Sequence, residues 1–153
     1  MSVIRVYADT SVFGGAFDEE FQTASRAFFD QVRSGRFKLI TSALVQEEVE
    51  PAPSQVRELF NELLDIVDVV EISEVALNLK DMYVETGIVT PQWNDDALHV
   101  AIATVASCSL IVSWNFKHIV HFEKIPLYNA VNTLKGYGNI GIFSPLEVIQ
   151  YES

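Results

Sequence analysis

The chain has 153 residues, 49% hydrophobic and 20% charged, with a formal net charge of −11. That length suits one domain, residues 1–153, with a sizeable core, and the composition is that of a globular rather than a disordered protein. The acidic balance argues against a broad basic surface for long-range capture of nucleic acid, while it accommodates a basic partner or a cation among crowded carboxylates. The single cysteine, Cys108, allows no internal disulfide and lies in an apolar run, as a small core residue. Met1 to Ala8 is too short for a signal-peptide core. The apolar run Ala97 to Val112 is interrupted by His99, Thr104, Ser107 and Ser109, so no membrane span or membrane contact is expected. The expected location is the cytoplasm.

In chain order, Val3 to Ala8 is rich in β-branched and aromatic residues and reads as a buried strand that stops at Asp9-Thr10-Ser11. A helix is predicted from about Thr23 to Arg33, with Phe28, Phe29 and Val32 on its apolar face and Gly35 closing it. Phe37 to Ile40 reads as a second strand. Ser42 then caps a short helix through Val49 that Pro51 ends. Val56, Leu59, Phe60, Leu63 and Leu64 fall at helical spacing and predict a helix to about Ile66. A third strand follows over Val67 to Ile72. Ser73 caps a helix to about Thr86, with Gly87 just beyond. Asn94 to Ala106 is a helix apolar on several sides. Leu110 to Ser113 and Ile140 to Phe143 are the last two strands. Strands alternating with helices predict a three-layer α/β/α sandwich with a central, mainly parallel sheet. Ligands in such sheets bind beyond the carboxyl ends of the strands, which directs attention to Asp9, Thr41-Ser42 and Trp114-Asn115.

Acids recur at those places. Asp9 directly follows the first strand, where a turn or helix cap is the ordinary explanation of a lone Asp. Glu48 shares a helical face with Leu44, whereas Glu47 points about 100° away, so Glu48 is the inward acid of the Glu47-Glu48-Glu50 group. Asp96 opens the apolar helix. First-turn acids are favoured by the helix dipole alone, but Asp96 leads directly into Ala97-Leu98 while Asp95 projects elsewhere. Asn115 follows the fourth strand and offers an uncharged oxygen, or else simply forms a turn. Three carboxylates and an amide from four segments make an oxygen-only donor set, suited to Mg²⁺ or Mn²⁺ rather than zinc. His118 and His121 form His-x-x-His without the partners of a closed zinc site. Lys117 and His118 stand where they can meet a substrate phosphate. His99, three residues after Asp96, reads as a packing residue. Trp93 and Trp114 flank the acids in sequence and either pack or stack bases. Asp18-Glu19-Glu20 reads as a solvated loop, and Phe28-Phe29 and Leu59-Phe60 as core.

Taken in order, Tyr7-Ala8-Asp9-Thr10-Ser11-Val12-Phe13, Thr41 to Val49, Asp96 to Ala103 and Ser113-Trp114-Asn115-Phe116-Lys117-His118 resemble the PIN-domain family over nearly the whole chain. The resemblance implies a Rossmann-like sandwich and metal-dependent hydrolysis of RNA. It implies that Asp9, Glu48 and Asp96 are the principal metal-holding acids, with Asn115 where many members carry a fourth acid and Thr10 and Ser113 as small polar neighbours. Many small members are VapC-type toxins held by an antitoxin, often as homodimers. The motif Asn129-Ala130-Val131-Asn132, with Gly136-Tyr137 and Ser144-Pro145, resembles a less characterised branch. Two alternatives stand beside a metal-dependent ribonuclease. One is a catalytically weak or inactive PIN-like binding module. The other is a haloacid-dehalogenase-like phosphatase, which wants a second Asp two residues after its nucleophile where this chain has Ser11.

Overall fold

The computed structural model describes residues 3–150, so the outer bounds of the expected domain lie outside the described residues. The first strand, β1 (Ile4–Ala8), is the centre of a five-stranded parallel sheet in the order β3-β2-β1-β4-β5. Its neighbours are β2 (Phe37–Ser42), registered Ile4 to Phe37, and β4 (Leu110–Val112), registered Ala8 to Val112. The edges are β3 (Asp68–Val70) and β5 (Gly141–Phe143). The chain builds outward from β1 to β3 on one side and then returns to lay β4 and β5 on the other. The direction therefore reverses beside β1, between β1 and β4, and the crevice at a parallel sheet's carboxyl edge opens at such a reversal.

Helices flank the sheet in two groups, which makes the three-layer sandwich. In the first group, α1 (Thr10–Gly15) packs against α2 (Gln22–Arg33), α3 (Ala43–Val49) and α4 (Ser54–Leu63), and α2 also meets α8 (Pro145–Val148). In the second, α5 (Glu74–Glu85) packs against α6 (Asn94–Val105) and α7 (Ile125–Leu134). Phe13, Phe28, Phe29, Phe37 and Phe60 interlock in the first layer at centroid separations of 5.0–5.4 Å, each buried ring contributing roughly 1.5–3 kcal/mol. Every residue of α6 from Ala97 to Thr104 is buried, which accounts for its apolar residues on all sides.

Three helices were not predicted from the sequence. Helix α1 is only six residues long, ends in two glycines and is held by packing rather than propensity. Helix α7 carries Pro126 in its first turn, where proline is tolerated, and two asparagines that weaken the helical signal. Both asparagines have structural work: Asn129 clamps the backbone of Ile140 through both amide atoms (3.0 and 2.8 Å) and so sets the start of β5. Asn132 accepts from the Tyr83 hydroxyl and donates to Thr104 Oγ1 at 3.3 Å. Helix α8 is a single turn closed by a Ser144–Glu147 capping box. Gly35 and Gly87 end α2 and α5 at φ +90° and +83°, a left-handed conformation that glycine adopts freely. Strand β3 is shorter than predicted, and α4 ends at Leu63 rather than Ile66. Among the described residues, no helix is long and apolar enough to cross a membrane.

Candidate functional site

Asp9 sits at the reversal point. It is 4% exposed, and its backbone N–H continues the ladder to Val112 O at 3.3 Å. It occupies the N-cap position of α1, yet its side chain makes no capping bond. Instead Ser11 Oγ donates to Oδ1 at 2.5 Å and Ser113 Oγ donates to Oδ2 at 2.7 Å. Ser11 in turn accepts the Trp114 N–H at 2.9 Å, so the segment after β4 and the start of α1 grip one carboxylate together. The cap explanation of Asp9 therefore fails, because this carboxylate is buried and oriented by hydroxyls from two segments.

Glu48 lies on α3, half-buried, while Glu47 and Glu50 are exposed. Its Oε1 accepts from Thr10 Oγ1 at 2.6 Å and pairs with His99 Nε2 at 2.7 Å. A carboxylate oxygen only accepts, so Nε2 is the donor. Behind it, His99 Nδ1 meets the Tyr7 hydroxyl at 2.7 Å, and Tyr7 meets Ser42 Oγ at 2.8 Å. Asp96 is half-buried in the first turn of α6, beside an exposed Asp95, and Asn115 lies close enough to favour its charged form. The Asn115 amide oxygen faces its own chain, accepting from the N–H groups of Lys117 (3.2 Å) and His118 (2.9 Å). Asn115 thus shapes the turn after β4, and its presence beside Asp96 favours the charged carboxylate.

The electrostatics tie these groups together. Burial pushes Asp9 up from the ordinary carboxylate range, and the Glu48 charge adds to this. The charge of His99 and the bonds from Ser11 and Ser113 work the other way without cancelling it. Asp96 is raised by burial and by Glu48 against the pull of Asn115, His118 and His99. Glu48 moves in the opposite direction: burial opposes its charge, but the His99 bond, the His99 charge and Thr10 together hold it low. Burial works to lower His99, yet Glu48, Asp9 and Asp96 hold it above its usual value. Asp9 and Asp96 each feel the Glu48 charge, and all three acids feel His99; by residue type they are oxygen donors of the kind a hard divalent cation takes. Among the described residues, however, no group of three or more His, Cys, Asp or Glu side chains is placed so that it could hold a metal ion.

The rim beyond Asp96 is aromatic and basic. Trp93, 38% exposed, stacks on His118 with centroids 4.8 Å apart, and Lys117 Nζ lies 5.5 Å from the Trp93 ring centre. His118 is buried, and among the described residues neither of its ring nitrogens has a hydrogen-bond partner. Trp114 belongs to the core: it stacks on Phe21 at 4.2 Å and donates to Ser25 at 2.8 Å. Phe28, Phe29 and Phe60 are buried, and Asp18, Glu19 and Glu20 are exposed. Cys108 is buried, its thiol pushed up to about 12 by desolvation, consistent with an unreactive core residue. Cavities of about 380 and 560 Å³ are lined by α5 with Lys135 and Tyr137, and by α3 with α4; neither includes Asp9, Glu48 or Asp96.

Sequence reasoning left Tyr7, Ser11 and His99 without a role at the acids. Signals for two of them were present. Tyr7 lies two residues before Asp9, on the same side of an extended segment, and His99 lies one helical turn after Asp96.

The five-stranded parallel sheet in this order, with helices on both faces, matches a PIN-like α/β fold. No protein-family model matches the chain, and no curated protein matches its sequence. Solved structures do match. A chain of VapBC2 from Rickettsia felis bound to a DNA fragment from its promoter is 13% identical, with TM-score 0.56 over 91% of this chain and 97% of that one. A chain of FitAcB from Neisseria gonorrhoeae is 14% identical, with TM-score 0.59 over 94% and 99%. A chain of DNA-bound VapBC from Salmonella typhimurium is 14% identical, with TM-score 0.58 over 94% and 99%. At that identity the likeness is one of fold.

Proposed function

We propose that this protein is a metal-dependent ribonuclease whose centre is Asp9, Glu48 and Asp96. The observation that carries the reading is Asp9: a buried carboxylate at the sheet's reversal point, fixed by Ser11 and Ser113 and coupled to Glu48 and His99. Asp9, Glu48 and Asp96 would hold Mg²⁺ or Mn²⁺, which supplies an acidified water and stabilises the charge growing on the phosphate. The chain's own residues do the rest. Ser11 and Ser113 set the angle of Asp9, Thr10 and His99 set that of Glu48, and Asn115 favours the charged form of Asp96. Trp93 offers an aromatic face and Lys117 a cation to a nucleotide lying across the rim, so that only a local basic edge is asked of a chain with net charge −11.

The structural neighbours come from VapBC and FitAcB assemblies, two of them bound to DNA. That supports a toxin role restrained by an antitoxin, with a homodimer as the assembled unit. The acidity of this chain suits a basic partner that makes any DNA contact. The second reading, a binding module without catalysis, draws on the open arrangement of the acids and on Asn115 in place of a fourth acid. Cleavage of a mixed-sequence RNA by wild type and Asp9→Asn, with Mn²⁺, with Mg²⁺ and with chelator, separates the two. Cutting that needs metal and is lost in Asp9→Asn supports the nuclease. Intact RNA together with absent metal binding rejects it in favour of the module.

A further inference from the structure

Strand β3 is one margin of the sheet and is bonded to β2 alone; among the described residues no backbone pairs with its other side. Such an edge is a template for a further strand, and proteins guard it with a helix, a proline or charges. Here the guard is acidic. The stretch 65–74 carries an acid at every third position, Asp65, Asp68, Glu71 and Glu74, and all four are exposed. Apolar residues stand among them, with Ile66 42% and Val69 40% exposed. Lys38 engages Asp68 at 3.4 Å and the Ile66 carbonyl at 3.2 Å, whereas Asp65, Glu71 and Glu74 have no ion pair among the described residues. Beside the strand, toward α5 and α6, lies a cavity of about 270 Å³ lined mainly by Val70, Ala76, Ile102, Val105 and Ala106. It is smaller than most small-molecule sites, which run to about 300–1,000 Å³, and suits an aliphatic side chain.

We propose that the outer edge of β3 receives an extended, basic segment of a partner protein as a sixth strand. The segment sets an aliphatic side chain in the cavity beside Val70 and lays Lys or Arg against Asp65, Glu71 and Glu74. In this mode backbone hydrogen bonds supply affinity, and pockets for alternate side chains supply specificity. The charges select the occupant. Two-fold pairing of β3 with a second copy brings the acids of both chains together, and like charges across paired strands are destabilising. The same acids repel a nucleic-acid backbone. The edge stands two strands away from β1 and Asp9, so this contact does not depend on RNA cleavage.

The test titrates the whole, isotope-labelled protein with the peptide Lys-Thr-Lys-Val-Leu-Val-Lys-Thr-Lys, reading affinity by fluorescence anisotropy and location by amide NMR and hydrogen exchange. Four control peptides carry Glu for every Lys, Gly for Leu, or N-methyl groups at alternate backbone nitrogens in either register. The parent peptide is expected to bind, to shift signals in β3 and the start of α5, and to slow exchange of β3 amides. Loss of the Leu side chain weakens binding about 10–100-fold. The Glu form does not bind, and at least one N-methyl form is lost. Asp65→Lys together with Glu71→Lys, both at exposed positions, weakens the parent peptide about fivefold or more. The peptide controls need no protein variant, so they decide the matter even if that variant misfolds. No saturable binding of the parent peptide overturns the proposal, as does binding that survives N-methylation in both registers, survives the change to Glu, or shifts signals away from β3. Protection of β3 that grows with protein concentration without peptide assigns the edge to a second copy and equally overturns it.

Discussion

Gly15 and Gly14 adjoin in α1, and a methyl group added to each has opposite consequences. At Gly15 a Cβ would lie 2.7 Å from Trp114 Nε1, 2.8 Å from Trp114 Cδ1 and 2.8 Å from Ser25 Oγ. Trp114 cannot swing clear, because it is 7% exposed, stacked on Phe21 and bonded to Ser25. Overpacking of this kind costs about 1–3 kcal/mol, and a strained or lost indole hydrogen bond about 0.5–1.5 kcal/mol. Replacing glycine inside a helix offsets roughly 0.5–1 kcal/mol of that. Gly15→Ala is therefore expected to destabilise by about 1–3 kcal/mol, a fall in Tm of roughly 2–12 °C for a domain of this size. At Gly14 nothing lies within 4 Å of the added Cβ, so Gly14→Ala keeps the helical gain and is expected to stabilise slightly. Urea unfolding of the two variants beside wild type measures the contrast. Gly15→Ala as stable as Gly14→Ala would refute the packing of α1 against Trp114, and with it the geometry that lets the Trp114 backbone hold Ser11 against Asp9.

Asp9 also gives a pH signature. Burial raises its folded value above the unfolded one, so the folded protein binds the proton more tightly, and stability falls as pH rises from about 4 through the folded value. Without metal, Asp9→Asn is expected to be more stable than wild type at neutral pH, with the gap closing as pH falls through the raised folded value of Asp9 toward the unfolded carboxylate range and constant below it. A gap that does not change with pH contradicts this. On the rim, Trp93→Ala is expected to weaken RNA binding by about 1–3 kcal/mol, the usual loss of one stacked base. Lys117→Ala should weaken binding across all sequences and reduce the salt slope by about one. Filter binding over a salt series reads both, and unchanged affinity in both removes this rim from the RNA path. Asn129→Ala loses both bonds to Ile140 and is expected to cost about 1–3 kcal/mol in chemical denaturation while leaving RNA affinity at the wild-type level.

The sheet and most of its helices were legible because their signals are local. Val3 to Ala8 carries a run of β-formers, Ser42 and Ser73 stand at helix starts, and Gly35 and Gly87 at helix ends. Helix α1 was not, because Thr10 to Gly15 holds its shape through Val12 and Phe13 in the core rather than through propensity. The difference between Glu48 and Glu47 followed from helical geometry alone. The family resemblance pointed to Thr10 and Ser113 as polar neighbours, and Ser11 lies only two residues from Asp9, but which acid each one holds, and that His99 meets Glu48, depends on contacts between segments that spacing in one segment does not encode. Asn115 was readable as a turn former. That it also lies beside Asp96 depends on how α6 and the turn after β4 meet in space.

The most direct test of the central claim compares single-turnover cleavage of a labelled RNA by wild type, Asp9→Asn, Glu48→Gln, Asp96→Asn and the triple variant, all in Mn²⁺. If the three acids act as one centre, each single variant loses nearly as much rate as the triple, because parts of one catalytic unit are strongly non-additive. Losses that simply multiply, or a single variant that cuts at the wild-type rate, would contradict a shared centre at Asp9, Glu48 and Asp96.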